Sequence, residues 1–265
     1  MSRHVEMAAA QGDTARVTTD GDPQATLRAE AMRLRLDLTP EQFAQFATYE
    51  ALIGEWNERA GLTTITDSEG IQRRHFGESL ALFVALRDAG VLKPGRSTSV
   101  IDLGTGAGLP GIPLRIVEPS LRLTLVEATT KKCVFLEAAV EALGLERVRV
   151  VNARAEDAAR APALRGRFEV ATAKALAALP VLVEYAIPLL RDGGLLAAPK
   201  GSRVDEEVEA AQGALRELRA ILEPGLRLPL PPDVPRQTIV MVRRSGPLDA
   251  RFPRRAGLPS KEPLT

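Results

Sequence analysis

The run Ser99-Val100-Ile101-Asp102-Leu103-Gly104-Thr105-Gly106-Ala107-Gly108-Leu109-Pro110-Gly111 limits what this chain can fold into more than any other stretch. Val100, Ile101 and Leu103 read as a buried strand. Gly104, Gly106 and Gly108 then give a sharp turn whose bare backbone a ligand can approach closely. Ile112, Leu114, Ile116 and Val117 continue into a short helix that stops near Pro119. A helix that starts this way has unpaired amides at its N-terminus, open to a ligand. Spacing narrows the choice of ligand. The dinucleotide fingerprint is G-x-G-x-x-G/A. Counted from Gly104 and Gly106 it meets Leu109; counted from Gly106 and Gly108 it meets Gly111, but with Pro110 in the turn. The pattern acidic-x-G-x-G-x-G fits every position from Asp102 to Gly108.

That second pattern resembles the first motif of S-adenosylmethionine-dependent methyltransferases. The following strand agrees with it. Leu121, Leu123, Leu125 and Val126 lead to Glu127, about 20 residues beyond the glycines, where a ribose-binding acid belongs in such folds. A carboxylate there can accept hydrogen bonds from two vicinal hydroxyls. The plainer alternative is a solvated acid at a strand end.

Beyond that motif the chain alternates strand and helix. Strands are expected at 98–103, 121–127, 147–151, 168–173, 194–199 and 237–243. Helices are expected near 110–118, 129–143, 153–160, 179–190 and 204–221. This alternation implies a parallel sheet with helices on both faces. The last strand follows a helix and a proline-rich loop over 224–235, and so can enter antiparallel. The expected fold class is α/β with an N-terminal helical cap, and the resemblance to methyltransferases implies a Rossmann-like class I fold with a seven-stranded, mostly parallel sheet.

Four parts follow from the pattern. Residues 1–30 read as a disordered extension, polar and without periodicity over most of their length. Residues 31–95 read as the cap, 96–245 as the methyltransferase domain and 246–265 as a basic tail. In the cap, Thr39-Pro40-Glu41 is a helix start. Phe43, Phe46, Ala47, Leu52, Ile53 and Trp56 recur at helical spacing, which makes Trp56 a core residue rather than a stacking platform. A second helix runs from Glu78 to about Asp88.

Composition sets limits. With 265 residues, 45% hydrophobic and only 4% aromatic, the chain can bury one large aliphatic core. A net charge of +1 provides no global pull toward nucleic acid, so any basic surface is local. Cys133 is the only cysteine; it excludes an internal disulfide and, inside a helix, reads as a small buried residue. The N-terminal residues lack the apolar core of a signal peptide, and the best apolar run, Leu176 to Leu190, is cut by Glu184 and two prolines. A cytoplasmic protein without membrane contact is expected. His4 and His75 are the only histidines, so no metal site is expected.

Local positive charge gathers in the tail. Arg251, Arg254, Arg255 and Lys261 stand among prolines, with Phe252 between them, a composition suited to a phosphate backbone. A merely solvated tail is the alternative.

Together these pieces resemble one family, the RsmG or GidB methyltransferases, which modify guanine N7 in bacterial small-subunit ribosomal RNA. The resemblance spans about residues 40 to 265. It rests on Val100 to Pro113 and on Arg254-Arg255 with Gly257, Pro259, Lys261, Pro263 and Leu264. It is supported by Trp56-Asn57 with Leu62-Thr63, His75-Phe76 with Ser79-Leu80, Val126 to Thr129 with Lys131-Lys132, Arg154 to Glu156, Ala173 to Ala175, and Pro199 to Gly201.

The resemblance implies S-adenosylmethionine as cofactor. It implies 16S ribosomal RNA, free or in an assembling small subunit, as partner of a monomeric enzyme. Asp102, Gly104, Gly106, Gly108 and Leu109 would form the cofactor loop, Glu127, Ala128 and Thr129 its neighbour, and Ala155 and Glu156 would border the adenine. Lys174, where the family usually has arginine, would serve cofactor and catalysis. RNA contacts are expected from Arg236 and the tail, and from His75, which reads equally as a structural histidine of the cap. Gly61 replaces a usual asparagine, and Arg236-Gln237 a usual Arg-His.

Guanine N7 carries an in-plane lone pair and no proton, so methylation there needs no general base. The sequence also lacks an Asn/Asp-Pro-Pro-aromatic tetrad after the fourth strand. Two other functions fit the same residues: a methyltransferase of another substrate, since fold does not fix substrate, and a non-catalytic RNA- or ribosome-binding module. Cofactor binding separates the module from the two enzymes.

Overall fold

The computed structural model of the chain describes residues 21–264. Seven strands form one sheet: β1 (Ser99–Leu103), β2 (Arg122–Glu127), β3 (Val148–Asn152), β4 (Phe168–Thr172), β5 (Leu190–Lys200), β6 (Ala220–Arg227) and β7 (Thr238–Arg244). Their order is β3-β2-β1-β4-β5-β7-β6. The first five strands are parallel, while β7 runs antiparallel to both β5 and β6, so the last strand enters as expected. The order reverses between β1 and β4. At that point the loops after the two strands diverge to opposite faces and leave a crevice at the carboxyl ends, the ligand position of open α/β sheets.

Both faces of the sheet are buried because side chains alternate along each strand. Val100, Leu123, Leu125, Val170, Leu195 and Ala197 join one core. Ile101, Val126, Ala171, Leu196 and Ala198 join the other. The first core is closed by α1 (Ala25–Arg33), α2 (Pro40–Ala60), a short α3 (Ser68–Gly70), a π-helix over Ile71–Gly77, α4 (Glu78–Asp88), α5 (Gly111–Val117) and α6 (Thr130–Ala142). The second is closed by α7 (Ala155–Arg160), α8 (Leu179–Ala186), α9 (Val204–Ala210) and α10 (Gln212–Glu217). The cap and the sheet therefore share one core.

Local chemistry sets the ends of α2. The Thr39 hydroxyl accepts from the Gln42 amide while the Gln42 side chain accepts from the Thr39 amide, a reciprocal cap with Pro40 at the first helical position. Gly61, at φ 62°, ends it. Between them Phe46, Tyr49 and Ile53 fall on one buried face.

The structure corrects four expectations. Residues 21–30 are not disordered: they enter α1, where Leu27 is fully buried. The Gln72 side chain accepts from the Leu27 amide and donates to the Pro23 carbonyl, tying this helix to the π-helix. The rest of the expected extension, residues 1–20, lies outside the described residues. The strand expected over 194–199 begins earlier, at Leu190, and residues 191–194 lie within it as an irregularity of pairing: Leu190 pairs with Phe168 and Leu195 with Val170. The helix expected over 204–221 ends at Glu217, and Ala220–Arg227 forms β6. Pro224-Gly225 looked like a loop, but an edge strand tolerates both residues at a break in its register.

The tail is the fourth. Expected as a basic tail, with a merely solvated one as the alternative, it forms α11 (Leu258–Lys261), with Pro259 within the first turn. It is also packed rather than free. Phe252 is 1% exposed in the second core. Arg160 and Arg165 donate to the Pro253 and Phe252 carbonyls. Glu184 of α8 accepts from the Arg254 amide at 2.8 Å and from its guanidinium at 2.7 and 2.9 Å. Because the Glu184 side chain is only 1% exposed, Arg254→Ala leaves a buried carboxylate without its partner. A loss of about 3 kcal/mol or more is expected, read from urea denaturation. Replacing the pair together, Glu184→Leu with Arg254→Met, should cost less than Arg254→Ala alone.

Candidate functional site

The glycine turn sits at the end of β1, and a single buried carboxyl holds it. Asp102 is fully buried. Its Oδ2 accepts from the Thr105 hydroxyl and from the Gly111 amide at 3.0 Å, and its Oδ1 from the Thr172 hydroxyl at 2.8 Å. One side chain thus joins both ends of the turn to each other and to β4. Burial pushes its pKa up to about 6 against the opposing pull of these hydrogen bonds and of Lys174. The expected direct contact of Asp102 with a cofactor is corrected: sealed from solvent, it positions the turn.

Gly104, Gly106 and Gly108 have φ values of 60°, 59° and 91°, a left-handed conformation that side chains resist. Their surroundings differ. A Cβ on Gly104 would meet Leu176 at 2.4 Å, one on Gly108 would meet Ile112 at 2.5 Å, and Gly106 faces open space. Leu109 is 9% exposed, and its side chain belongs to the first core.

Glu127, at the end of β2, faces the same turn. Its Oε2 accepts from the Gly106 amide at 3.0 Å and its Oε1 from the Thr129 amide at 2.8 Å. Ala128 is exposed and Thr129 half-buried beside it. Asn152, at the end of β3, donates to the carbonyls of Glu127 and Ala128, both at 3.1 Å. The Glu156 carboxylate, expected at an adenine, instead accepts from the Gly257 amide of the tail at 2.8 Å and is 3% exposed. Ala155 is buried next to it.

The cap reaches the turn from the other side. Tyr49 of α2 is fully buried, stacks on Phe76 of the π-helix at 5.4 Å and donates to the Ala107 carbonyl. Burial, and the nearby Asp102 charge, hold its phenol well above its ordinary pKa, so it stays a donor. Lys174, after β4, forms a 2.6 Å ion pair with Glu78 of α4 and donates to the Arg74 carbonyl at 3.2 Å. His75 is half-buried in the π-helix, with Nε2 2.7 Å from the Thr63 hydroxyl. Its Nδ1 is buried and without a partner among the described residues. Burial, then the Lys174 and Arg74 charges, lower its pKa to about 4. This is the structural alternative for His75, a neutral ring within the cap.

A cleft of about 920 Å³ opens beside Lys174, over the ends of β4 and β5. Arg236 and Gln237 line it from the loop before β7, Lys200 and Arg203 from the end of β5 and the loop after it, and Arg74 from the π-helix. Lys200 is paired with Glu207 at 2.7 Å. The tail cations lie elsewhere. Arg251 pairs with Glu217 and Arg254 with Glu184, which removes Arg254 from the expected RNA contacts, because its guanidinium is consumed inside the protein. Arg255 and Lys261 are exposed.

Several site residues escaped sequence reasoning: Tyr49, Glu78, Thr105, Asn152, Thr172 and Leu176. Tyr49 had a usable signal, lying three residues from Phe46 and four from Ile53 on the apolar face of α2. Thr105 lies within the glycine run, three positions from Asp102, whereas Glu78, Asn152, Thr172 and Leu176 act through contacts between segments distant in the sequence, which no local spacing reveals.

Asp102 and His75 make stability depend on pH in opposite senses. From pH about 4 to about 6 the folded protein keeps a proton on Asp102 that the unfolded chain releases, so this group alone lowers stability as pH rises. From about 4 to 6.5 the unfolded chain keeps a proton on His75 that the fold excludes, so stability rises with pH. Asp102→Asn should therefore steepen the gain in stability across this window, and His75→Gln should flatten or reverse it. Urea titrations at the two ends of the window measure both.

A family model described as GidB, rRNA small subunit methyltransferase G, matches residues 42–222. Similar proteins carry the name ribosomal RNA small subunit methyltransferase G. The one from Symbiobacterium thermophilum is 44% identical over 218 residues, 80% of this chain and 86% of that protein. Those of Roseiflexus castenholzii and Desulfitobacterium hafniense are 43% and 39% identical, each over 89% of this chain and covering 97% and 95% of their own lengths. With a match across most of the chain and the glycine turn at the reversal of a seven-stranded sheet, the chain belongs to the GidB family of small-subunit rRNA methyltransferases.

Proposed function

We propose that this protein transfers a methyl group from S-adenosylmethionine to N7 of a guanine in 16S ribosomal RNA, as a cytoplasmic monomer acting on free RNA or an assembling small subunit. The observation that carries this reading is the clasped glycine turn facing Glu127, with a cation-lined cleft beside it. The residues present fit the cofactor. A ribose diol needs an acceptor at the end of β2, and Glu127 supplies two carboxylate oxygens there. Close approach of the ligand needs a bare backbone, and Gly106 faces open space. Gly104, Gly106, Gly108, Ala128 and Thr129 would line the ligand. Ala155 and Glu156 would meet the adenine through their backbone, since the Glu156 side chain is held by Gly257. No helix among the described residues is long and apolar enough to cross a membrane.

S-adenosylmethionine supplies an electrophilic methyl group on a sulfonium. The protein's own residues do the rest by placement. N7 attacks with a lone pair and gives up no proton, so no side chain need act as base. What the site must supply is alignment of the acceptor, and misplacement by about 1 Å can cost on the order of a hundredfold. Lys174 stands between the turn and the cleft, where an ammonium can hold the cofactor carboxylate, guanine O6 or a phosphate. Glu78 and the Arg74 carbonyl fix its position from the cap.

The test is methylation of small-subunit RNA with labelled cofactor, followed by strand scission at N7-methylguanine. Glu127→Ala should weaken cofactor binding by about 1.5–3 kcal/mol in calorimetry; unchanged affinity removes Glu127 from the ribose. Lys174→Ala should nearly abolish single-turnover methylation while the fold persists. Lys174→Arg should retain or raise it, because the planar fork can grip Glu78 or the substrate bidentately. An active Lys174→Ala enzyme excludes the proposed role.

A further inference from the structure

Cations around the cleft fall into two groups. Lys174 and Lys200 are neutralised at close range by Glu78 and Glu207. The side chains of Arg74, Arg203 and Arg236 are exposed and make no hydrogen bond or ion pair among the described residues. These three come from separate elements: the π-helix, the loop after β5 and the loop before β7. Two of those walls are joined, since Arg73 pairs with Asp233 and so ties the π-helix to the loop that carries Arg236. Arg74 and Arg236 are thereby held by a contact that leaves their own guanidinium groups unused.

Resting on the methyltransferase reading, we propose that Arg74, Arg203 and Arg236 form the phosphate grip of this enzyme. They bind the backbone phosphates that flank the target nucleotide, while Phe252 and Arg254 of the C-terminal tail serve the fold. The chemistry favours a polyanion. A guanidinium offers a rigid fork of donors that matches a phosphate bidentately. Three such groups without internal acceptors, around a cleft of about 920 Å³, leave their charge to a ligand. The tail arginines Arg251 and Arg254 have already given theirs to Glu217 and Glu184. The cleft also abuts Lys174, so a strand held by its phosphates would present one base toward the glycine turn.

The test compares the full chain with Arg74→Ala/Arg203→Ala and with Arg122→Ala/Arg149→Ala. The control pair removes the same charge from exposed positions on β2 and β3, with Arg122 at the opposite end of its strand from the crevice. Binding of a fluorescent small-subunit RNA fragment is followed across salt concentrations, with cofactor affinity measured alongside. For the cleft pair, affinity should fall roughly tenfold or more near physiological salt, and the log–log salt slope should shrink by about 1.4, at about 0.7 per phosphate contact on a single strand. Cofactor affinity should not change, and the control pair should bind RNA as the parent does. Equal losses in the two pairs, or no loss in the cleft pair, overturn the grip while leaving the methylation reading intact. A parent protein that neither binds nor methylates the RNA overturns both.

Discussion

A carboxyl group sealed from water holds this molecule's working end together. Asp102 has no cation bonded to it; two hydroxyls and one amide satisfy it instead. Burying a charge is costly unless hydrogen bonds replace its water shell, and these three partners come from the glycine turn, the start of α5 and β4. The requirement to satisfy one charge therefore fixes the geometry of three elements at once. Tyr49 adds a fourth, since its hydroxyl holds the Ala107 carbonyl from the cap. The glycine turn is rigid because its outer partners are buried, although its inner face at Gly106 is bare.

The same logic of satisfied and unsatisfied charge separates the two basic regions. In the tail, Arg251 and Arg254 meet the carboxylates of Glu217 and Glu184, and Arg254 acts as a structural fastener. Around the cleft, the lysines are matched and the arginines are not. A sequence shows how many cations lie in a stretch; only the fold shows which of them still have charge to offer a partner. A net charge of +1 is compatible with a cationic cleft because 35 Lys and Arg nearly balance 34 Asp and Glu over the chain without being evenly spread over its surface.

The alternation of strands and helices, the antiparallel entry of the last strand, and the bounds of α2 and α4 were legible in the sequence. Their signals are local: alternation, helical period, and caps such as Thr39-Pro40 and Gly61. Glu127 was legible for the same reason, as an acid at the end of an apolar strand. Legibility failed where tertiary contact decides the outcome. Asp102 fits a ligand motif but is turned inward by Thr172, seventy positions away. Glu156 follows β3 where an adenine neighbour belongs, yet its side chain is taken by Gly257, 101 positions on. β6 was hidden because proline and glycine suggest a loop, whereas an edge strand need pair on one side only.

The placement of Glu184 carries a consequence for how the protein is made. This acid lies in α8, inside the second core, yet its counter-charge is Arg254, 70 positions further along the chain. During synthesis α8 emerges long before its partner does. Until the segment that carries Arg254 has emerged, α8 holds an uncompensated carboxylate and its core lacks the Phe252 ring. A chain that stops before Phe252 keeps the glycine turn, Glu127 and Lys174 in its sequence but lacks both the ring and the counter-charge of this core. Closure of the second core thus waits on the segment from Phe252 to Arg254.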